Sequence, residues 1–256
     1  MTPSISDLLD FAISITEAAG RGTLDYYQTD LAVETKSDAS PVTIADKEAE
    51  QFIRNAIQSR FPDHQIIGEE YSDKVTSSPY KWIIDPIDGT KSFIAGVPFY
   101  SNLVGLEYEG EIIVGIANFP ALNEMVYAGK GLGAWYNKKP AKVGSVSEIS
   151  KARIMVTDFR DFEKREAWKT FKPILDSCRF HRTWGDAYGH AMVATGRAEI
   201  ALDPFMNPWD CAPFGIILKE AGGFFTDWNG NDTIYGPNAI SSNQELREKV
   251  LSCLKD

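Results

Sequence analysis

The sequence predicts an α+β protein built from stacked helix and sheet layers. Three observations carry that expectation. The N-terminal segment repeats apolar side chains at a helical period, residues 102–136 alternate in short β-branched runs, and helical and strand-like segments then take turns to the end of the chain.

In "MTPSISDLLDFAISITEAAG", Leu8, Leu9, Phe11, Ala12, Ile15 and Ala19 lie on one helical face. Asp7, Asp10 and Glu17 interrupt the stretch, and it has no basic leader or continuous apolar core, so a helix is expected rather than a signal peptide. Thr43 and Asp46 form a capping pair ahead of Phe52, Ile53, Ala56 and Ile57, predicting a second helix that "FPD" stops. Strands are expected in "HQIIG" at 64–68 and "KWIID" at 81–85. The runs "NLVGLEY", "EIIVGIANF", "EMVYAG" and "GAWYN" predict an antiparallel sheet, in which the glycines of "GKGLGAWYN" serve hairpin geometry. Further on, "ARIMVTDF" reads as a strand, "DFEKREAWKTFKPILDSC" as one helix with a charged face, and "GDAYGHAMVATG" as a helix closed by Gly196. Strand "AEIALD", helix "PWDCAPFGIILKEAGG", strand "FFTDW" and a helix around "NQELREKVLSCLK" complete the chain. The small-residue stretch "GSVSEIS" places a boundary near 145–152, dividing the chain into halves 1–148 and 149–256 that form one catalytic unit.

A length of 256 residues with 43% hydrophobic content suffices for a sizeable core. Thirty-six acidic against 26 basic residues give a net charge of −10, which argues against a general nucleic-acid or anionic-membrane partner. No window reaches the roughly 18 uninterrupted apolar residues of a membrane span. Cys178, Cys211 and Cys253 are scattered, so neither a disulfide framework nor a thiolate metal site is expected, and the cytoplasm is the expected compartment. His64, His181 and His190 lack zinc-ligand spacing, and no Ser or Cys nucleophile elbow is present.

Carboxylates instead gather where strands and helices end: Asp46 in "TIADKEAE", Glu69 and Glu70 in "IIGEEYSD", Asp85 and Asp88 in "IIDPIDGTKS", and Asp210 in "NPWDCAP". Such groups are costly to bury unless they are hydrogen-bonded, paired or coordinating a metal, and Lys and Arg are scarce beside them. Mg²⁺ favours octahedral oxygen sites with a few carboxylates and phosphate oxygens. Pro86 fixes a turn that lets Asp85 and Asp88 face one point, with the Ile87 carbonyl as a further oxygen. If "TKSFI" opens a helix, the N–H groups of Gly89 and Thr90 would hold a phosphate close to the metal. Each feature has a plainer reading: a surface turn, a helix cap at Asp46, solvated charges at Glu69 and Glu70, an N-cap at Asp210. Their joint occurrence points to a metal site.

With these residues assembled, the sequence resembles the inositol monophosphatase superfamily over nearly its whole length, through "SPVTIADKEAE", "FPDHQIIGEE", "WIIDPIDGTKSF", "GEIIVGIANFPALNEMVYAGKGLGAW" and "NPWDCAPFGIILKEAGGFFTDWNG". The resemblance implies a five-layer αβαβα fold and a homodimer. It implies that Glu69, Asp85, Asp88 and the Ile87 carbonyl bind a first Mg²⁺, that Asp85, Asp88 and Asp210 bind a second, and that a third sits near Glu69 through water. Glu70 would lie behind these ligands. Asp46 and Thr90 would orient and activate the attacking water, making them catalytic together with Glu69, and Gly89 and Thr90 would receive the phosphate. Lys36, in "TKSDASP", matches a basic position near the metals. The implied reaction is hydrolysis of a small phosphate monoester by metal-activated water, with no phosphoenzyme.

Substrate choice rests on other residues. Inositol monophosphatases typically carry a Gly-Ser/Thr-Ala-Ala pattern where this chain reads "RTWGDAYGHAMVATG", with Asp186 and Tyr188 in place of small residues. "GTKSFIAG" and "GDAY" resemble the histidinol-phosphate phosphatases of the superfamily. That substrate carries an amine and an imidazole, for which an added carboxylate is chemically sensible. Asp186 could equally cap the helix that follows. Asp203 resembles an acidic position on the substrate side, and Asp210 would border the substrate as well. L-histidinol phosphate is therefore expected ahead of myo-inositol phosphate, with a 3'(2'),5'-bisphosphate nucleotidase or a catalytically idle metal-binding protein as further alternatives.

Overall fold

Ser4 and Thr43 open the first two helices, α1 (Ile5–Leu24) and α2 (Ile44–Arg60), each through a capping box. The Asp7 amide donates to Ser4 Oγ at 3.1 Å, and the Thr43 amide donates to Asp46 Oδ2 at 2.8 Å. The computed structural model describes residues 3–37 and 40–254. Between α1 and α2 lies a short hairpin, β1 (Val33–Thr35) and β2 (Pro41–Thr43).

A seven-stranded sheet follows from β3 (Gln65–Gly68), β4 (Tyr80–Asp88), β5 (Ser101–Tyr108), β6 (Glu111–Phe119), β7 (Glu124–Gly129), β8 (Gly133–Tyr136) and β9 (Lys139–Pro140), in sequence order. It is antiparallel except where β3 runs parallel to β4. The short α3 (Thr90–Ile94) branches off the end of β4. The second sheet joins β10 (Arg153–Val156), β11 (Phe180–Arg182), β12 (Ile200–Asp203), β13 (Gly223–Thr226) and β14 (Ala239–Asn243) in the order β11-β10-β12-β14-β13. Its helices are α4 (Phe159–Lys164), α5 (Trp168–Ser177), α6 (Asp186–Ala194), α7 (Pro208–Glu220) and α8 (Gln244–Cys253).

Three apolar clusters arrange these parts as αβαβα. Leu8, Ile15 and Ile53 of α1 and α2 pack on Trp82, Ile84 and Val114 from one face of the large sheet. The opposite face, with Ile83, Leu103 and Ala117, meets Ala191 and Phe214 of α6 and α7, which also touch Met155 and Phe225 of the second sheet. Phe171 and Val250 of α5 and α8 cover that sheet's far side.

Some elements differ from the sequence reading. The strand expected at 81–85 runs on to Asp88, and the helix expected over residues 161–178 is two helices, α4 and α5, because Glu166 takes a left-handed conformation (φ 59°) between them. The strand β14 went unread because its centre is Ser241 and Ser242, polar yet buried.

The middle layer sits close to the large sheet at one place. Gly105 and Gly115 are cross-strand partners on β5 and β6, directly under α7. A Cβ on Gly105 would lie 2.6 Å from the Ala212 Cβ, and one on Gly115 would lie 2.4 Å from the Pro213 carbonyl oxygen. Because the obstacle at Gly115 is backbone, Gly115→Ala is expected to destabilise the protein by about 1–3 kcal/mol, read as a lower urea midpoint at unchanged slope. An unchanged midpoint would mean that α7 does not press on the sheet there.

Candidate active site

The bulge in β4 sets the site. Asp85 pairs with Leu103 and Asp88 with Ser101, so three steps along β4 match two along β5. The extra residue cancels the alternation that would send Asp85 and Asp88 to opposite faces. Both therefore face the middle helices, as Ile83 and Leu103 do. Asn102 Nδ2 donates to the Pro86 carbonyl at 2.5 Å, and the Thr90 hydroxyl donates to the Ile87 carbonyl at 3.1 Å.

Asp210 approaches from α7. Asn207 is the N-cap of that helix, not Asp210, which is the third helical residue and accepts the Asn207 amide at 2.8 Å. Asp85, Asp88 and Asp210 each bring a carboxylate oxygen within 4.8 Å of the others. The groups outside the cluster that donate to them are neutral: Ser101 Oγ and the Ala187 amide for Asp88, and Asn207 for Asp210. Asp85 Oδ1 is buried without a hydrogen-bond partner among the described residues.

Burial, and then the charges of Glu69, Asp88 and Asp210, push the Asp85 carboxyl well above its ordinary range. Burial, then Asp186 and Asp210, do the same to Asp88, and Asp210 is pushed up to about 6, chiefly by burial. An orphaned oxygen among three mutually repelling carboxylates is the donor set of a hard divalent cation, so the residues fit Mg²⁺.

The remaining candidates surround this group. Gly68 of β3 pairs with Ile84 of β4, which sets Glu69 level with Asp85. Glu69 lies outside the 4.8 Å group, and Lys36 Nζ donates to Glu69 at 2.7 Å and to Glu70 at 2.6 Å. The two glutamates are thus ion-paired rather than solvated charges. Glu50, fully buried on α2, holds the segment in place: its carboxylate accepts the Glu70 amide at 2.7 Å, the Tyr71 amide at 3.2 Å and Arg54 Nε at 2.6 Å. The sequence reading passed over Glu50, although it shares a helical stripe with Asp46, Ile53 and Ile57.

Asp46 caps α2 with Oδ2, which accepts the Thr43 amide and hydroxyl, while Oδ1 accepts the Thr90 hydroxyl at 3.4 Å. Burial raises its pKa, with the Thr43 bonds opposing. Gly89, in the left-handed conformation (φ 76°), turns the chain from β4 into α3.

Asp186 does not cap α6. The N-cap is Gly185, and Asp186 is the first helical residue, itself left-handed (φ 50°), with no capping bond from its side chain. Its Oδ2 lies 3.1 Å from where a Cβ on Gly89 would stand, which places the carboxyl against the Gly89 turn. Burial, then Asp203 and Asp210, raise its pKa to about 7. Tyr188 packs between Phe99 and Phe119 and accepts a bond from Arg197 at 3.1 Å. Asp203 is bonded inside the fold, to the Thr157 amide at 3.2 Å and to His190 Nε2 at 3.0 Å. Neither Thr157 nor His190 carried a signal in the sequence, since both serve residues remote along the chain.

Folding raises the Asp210 pKa from 3.8 to about 6, so between those values the folded protein binds more protons than the unfolded chain. Stability from this group is therefore greatest in acid and falls as pH rises through that window. Chelator-treated protein is expected to lose melting temperature between about pH 4 and 6, and Asp210→Asn to lose less. Equal slopes in the two proteins would remove Asp210 as the source.

The inositol monophosphatase family profile matches residues 4–255. The histidinol-phosphatase of Chlorobaculum parvum is 40% identical over 99% of this chain and 97% of its own length. That of Mycobacterium tuberculosis is 32% identical over 97% of this chain and 98% of its own. Among solved structures, the IMPase of Thermotoga maritima superposes with a TM-score of 0.89 at 32% identity, covering 97% of each chain. No helix among the described residues is long and apolar enough to cross a membrane. Sequence, layer order and acidic cluster together make this chain a member of the inositol monophosphatase family.

Proposed function

We propose that the protein is a magnesium-dependent phosphomonoesterase that hydrolyses L-histidinol phosphate to L-histidinol and phosphate, a step of histidine biosynthesis. The observation that carries the substrate choice is the Asp186 carboxyl against the Gly89 turn, where a bound phosphomonoester would present its alcohol. The names of the two histidinol-phosphatase relatives support the same reading. In it, Asp85, Asp88, Glu69, Asp210 and the Ile87 carbonyl hold two or three Mg²⁺, and the amides of Gly89 and Thr90 receive the phosphate. Family likeness further supports a cytoplasmic homodimer acting on a small molecule.

Bound Mg²⁺ would supply positive charge that acidifies the attacking water and neutralises the phosphate and the leaving alkoxide. The chain's own groups handle the proton. The Thr90 hydroxyl, its one hydrogen turned from the Ile87 carbonyl to Asp46 Oδ1, would accept it from water, and burial makes Asp46 the stronger base. Thr43 holds the other Asp46 oxygen, so Oδ1 keeps its aim. Burial and the charges of Asp203 and Asp210 hold the Asp186 carboxyl up at about 7, so an amine or an imidazolium bound beside it would favour its ionised form and pair with it. The simplest role for Asp203 in this scheme is to stand behind Asp186, since both its oxygens are bonded within the fold.

Wild-type kcat/KM with Mg²⁺ is expected to favour L-histidinol phosphate over myo-inositol 1-phosphate by about tenfold or more, and Asp186→Asn to lose most of that preference. Asp85→Asn is expected to abolish phosphate release, by about a thousandfold, with the fold intact by circular dichroism. A preference for the inositol ester would instead assign an inositol monophosphatase.

A further inference from the structure

Asp186 is an aspartate at the head of a helix with φ at 50°, a left-handed conformation that costs an L residue energy unless local bonds hold it. Thr157, just beyond the end of β10, supplies such a bond. The Asp186 amide donates to Thr157 Oγ1 at 2.7 Å. Gly185 lies so close that a Cβ on it would stand 2.3 Å from the Thr157 Cα and 2.4 Å from its Oγ1. Thr157 is itself fixed from behind. Val156 pairs with Leu202 in the parallel β10–β12 ladder, which sets Thr157 level with Asp203, and the Thr157 amide donates to Asp203 Oδ1 at 3.2 Å. The other Asp203 oxygen accepts His190 Nε2 at 3.0 Å, so His190 Nδ1 is left to accept the Ser241 hydroxyl at 2.7 Å. His190 and Ser241 are fully buried, so this chain runs from the core of the second sheet to the head of α6.

We infer that Thr157 is a positioning residue for substrate selection: its hydroxyl, braced by Asp203 and His190, locks the Gly185–Asp186 step so that the Asp186 carboxyl is presented beside the Gly89 turn. This rests on Asp186 as the residue that meets the cationic part of the substrate. Without the hydroxyl, the Asp186 amide loses its acceptor and the left-handed step relaxes. Thr157 does not touch the substrate and moves no proton.

The test compares L-histidinol phosphate with glycerol 2-phosphate, which has no cationic group, in full-length protein with Mg²⁺. Thr157→Val and Thr157→Ala are expected to lower the ratio of the two kcat/KM values by about tenfold, mainly through KM for histidinol phosphate. Thr157→Ser, which keeps the hydroxyl, is expected to hold the ratio within about twofold of wild type. Asp186→Asn is measured alongside, and Mg²⁺ affinity is taken by calorimetry. Equal losses on both substrates with weakened Mg²⁺ binding would mean that Thr157 acts through the Ala187 amide on Asp88, which overturns the inference. A lost ratio in Thr157→Ser overturns it too, and so does a ratio that collapses in Asp186→Asn but holds in the Val and Ala variants. A ratio unmoved by Asp186→Asn brings down the substrate reading and this inference with it.

Discussion

Three carboxylates are held within 4.8 Å of one another, Asp85 among them fully buried, and much of the molecule can be understood as what keeps them there. Two unit charges at such separations repel by on the order of 3–4 kcal/mol at an effective dielectric constant of 20. A loose support would let them drift apart. Asp85 and Asp88 are paired to Leu103 and Ser101 of β5, just past the end of the β3 pairing at Ile84, and Asp210 is locked into the capping box of α7. Helix N-termini also converge on the cluster. Asp46 and Asp210 sit in the first turns of α2 and α7, and the second amide of α6 donates to Asp88. The positive ends of these helices offset part of the repulsion. Asp46, Asp88 and Asp210 thus each begin or receive a helix, which ties the site to the folding of the layers.

The middle layer is where the two sheets meet. α6 and α7 touch both, and the glycine pair of β5 and β6 lets α7 settle deeply enough for Asp210 to meet the acids carried by β4 of that same sheet. On the outer side, Glu50 reaches from α2 to the backbone past β3, so the segment bearing Glu69 is held from beneath by a charge that never faces the site. The acids come from several elements, Asp85 and Asp88 sharing β4, and each element has its own fastening.

What the sequence revealed follows from how local each signal is. The capping pair Thr43–Asp46 could be read because a cap is a three-residue affair, and the helical stripe of α1 because burial repeats along one face. The carboxylates stood out because charges at the ends of apolar runs conflict with their surroundings. Glu166 carries no such mark, so α4 and α5 read as one helix, and β14 hid because Ser241 is buried for the sake of His190 rather than for its own hydrophobicity. Asp186 reads naturally as a cap. What takes it out of that role is Thr157, twenty-nine positions upstream, together with the tight seat of Gly185, and neither is visible along a single segment.

The extra residue in β4 has a consequence beyond the facing of side chains. A regular Asp-x-Asp strand would present two carboxylates to the same layer, but its intervening carbonyl would remain committed to a neighbouring strand. In the bulged sequence Asp-Pro-Ile-Asp, Pro86 has no amide proton to offer, and the Ile87 carbonyl accepts the Thr90 hydroxyl. The backbone itself thereby places a neutral carbonyl oxygen between two charged side chains. Substitution can change the charge of the side chains around this turn, but that oxygen can be removed only by altering the length of the strand.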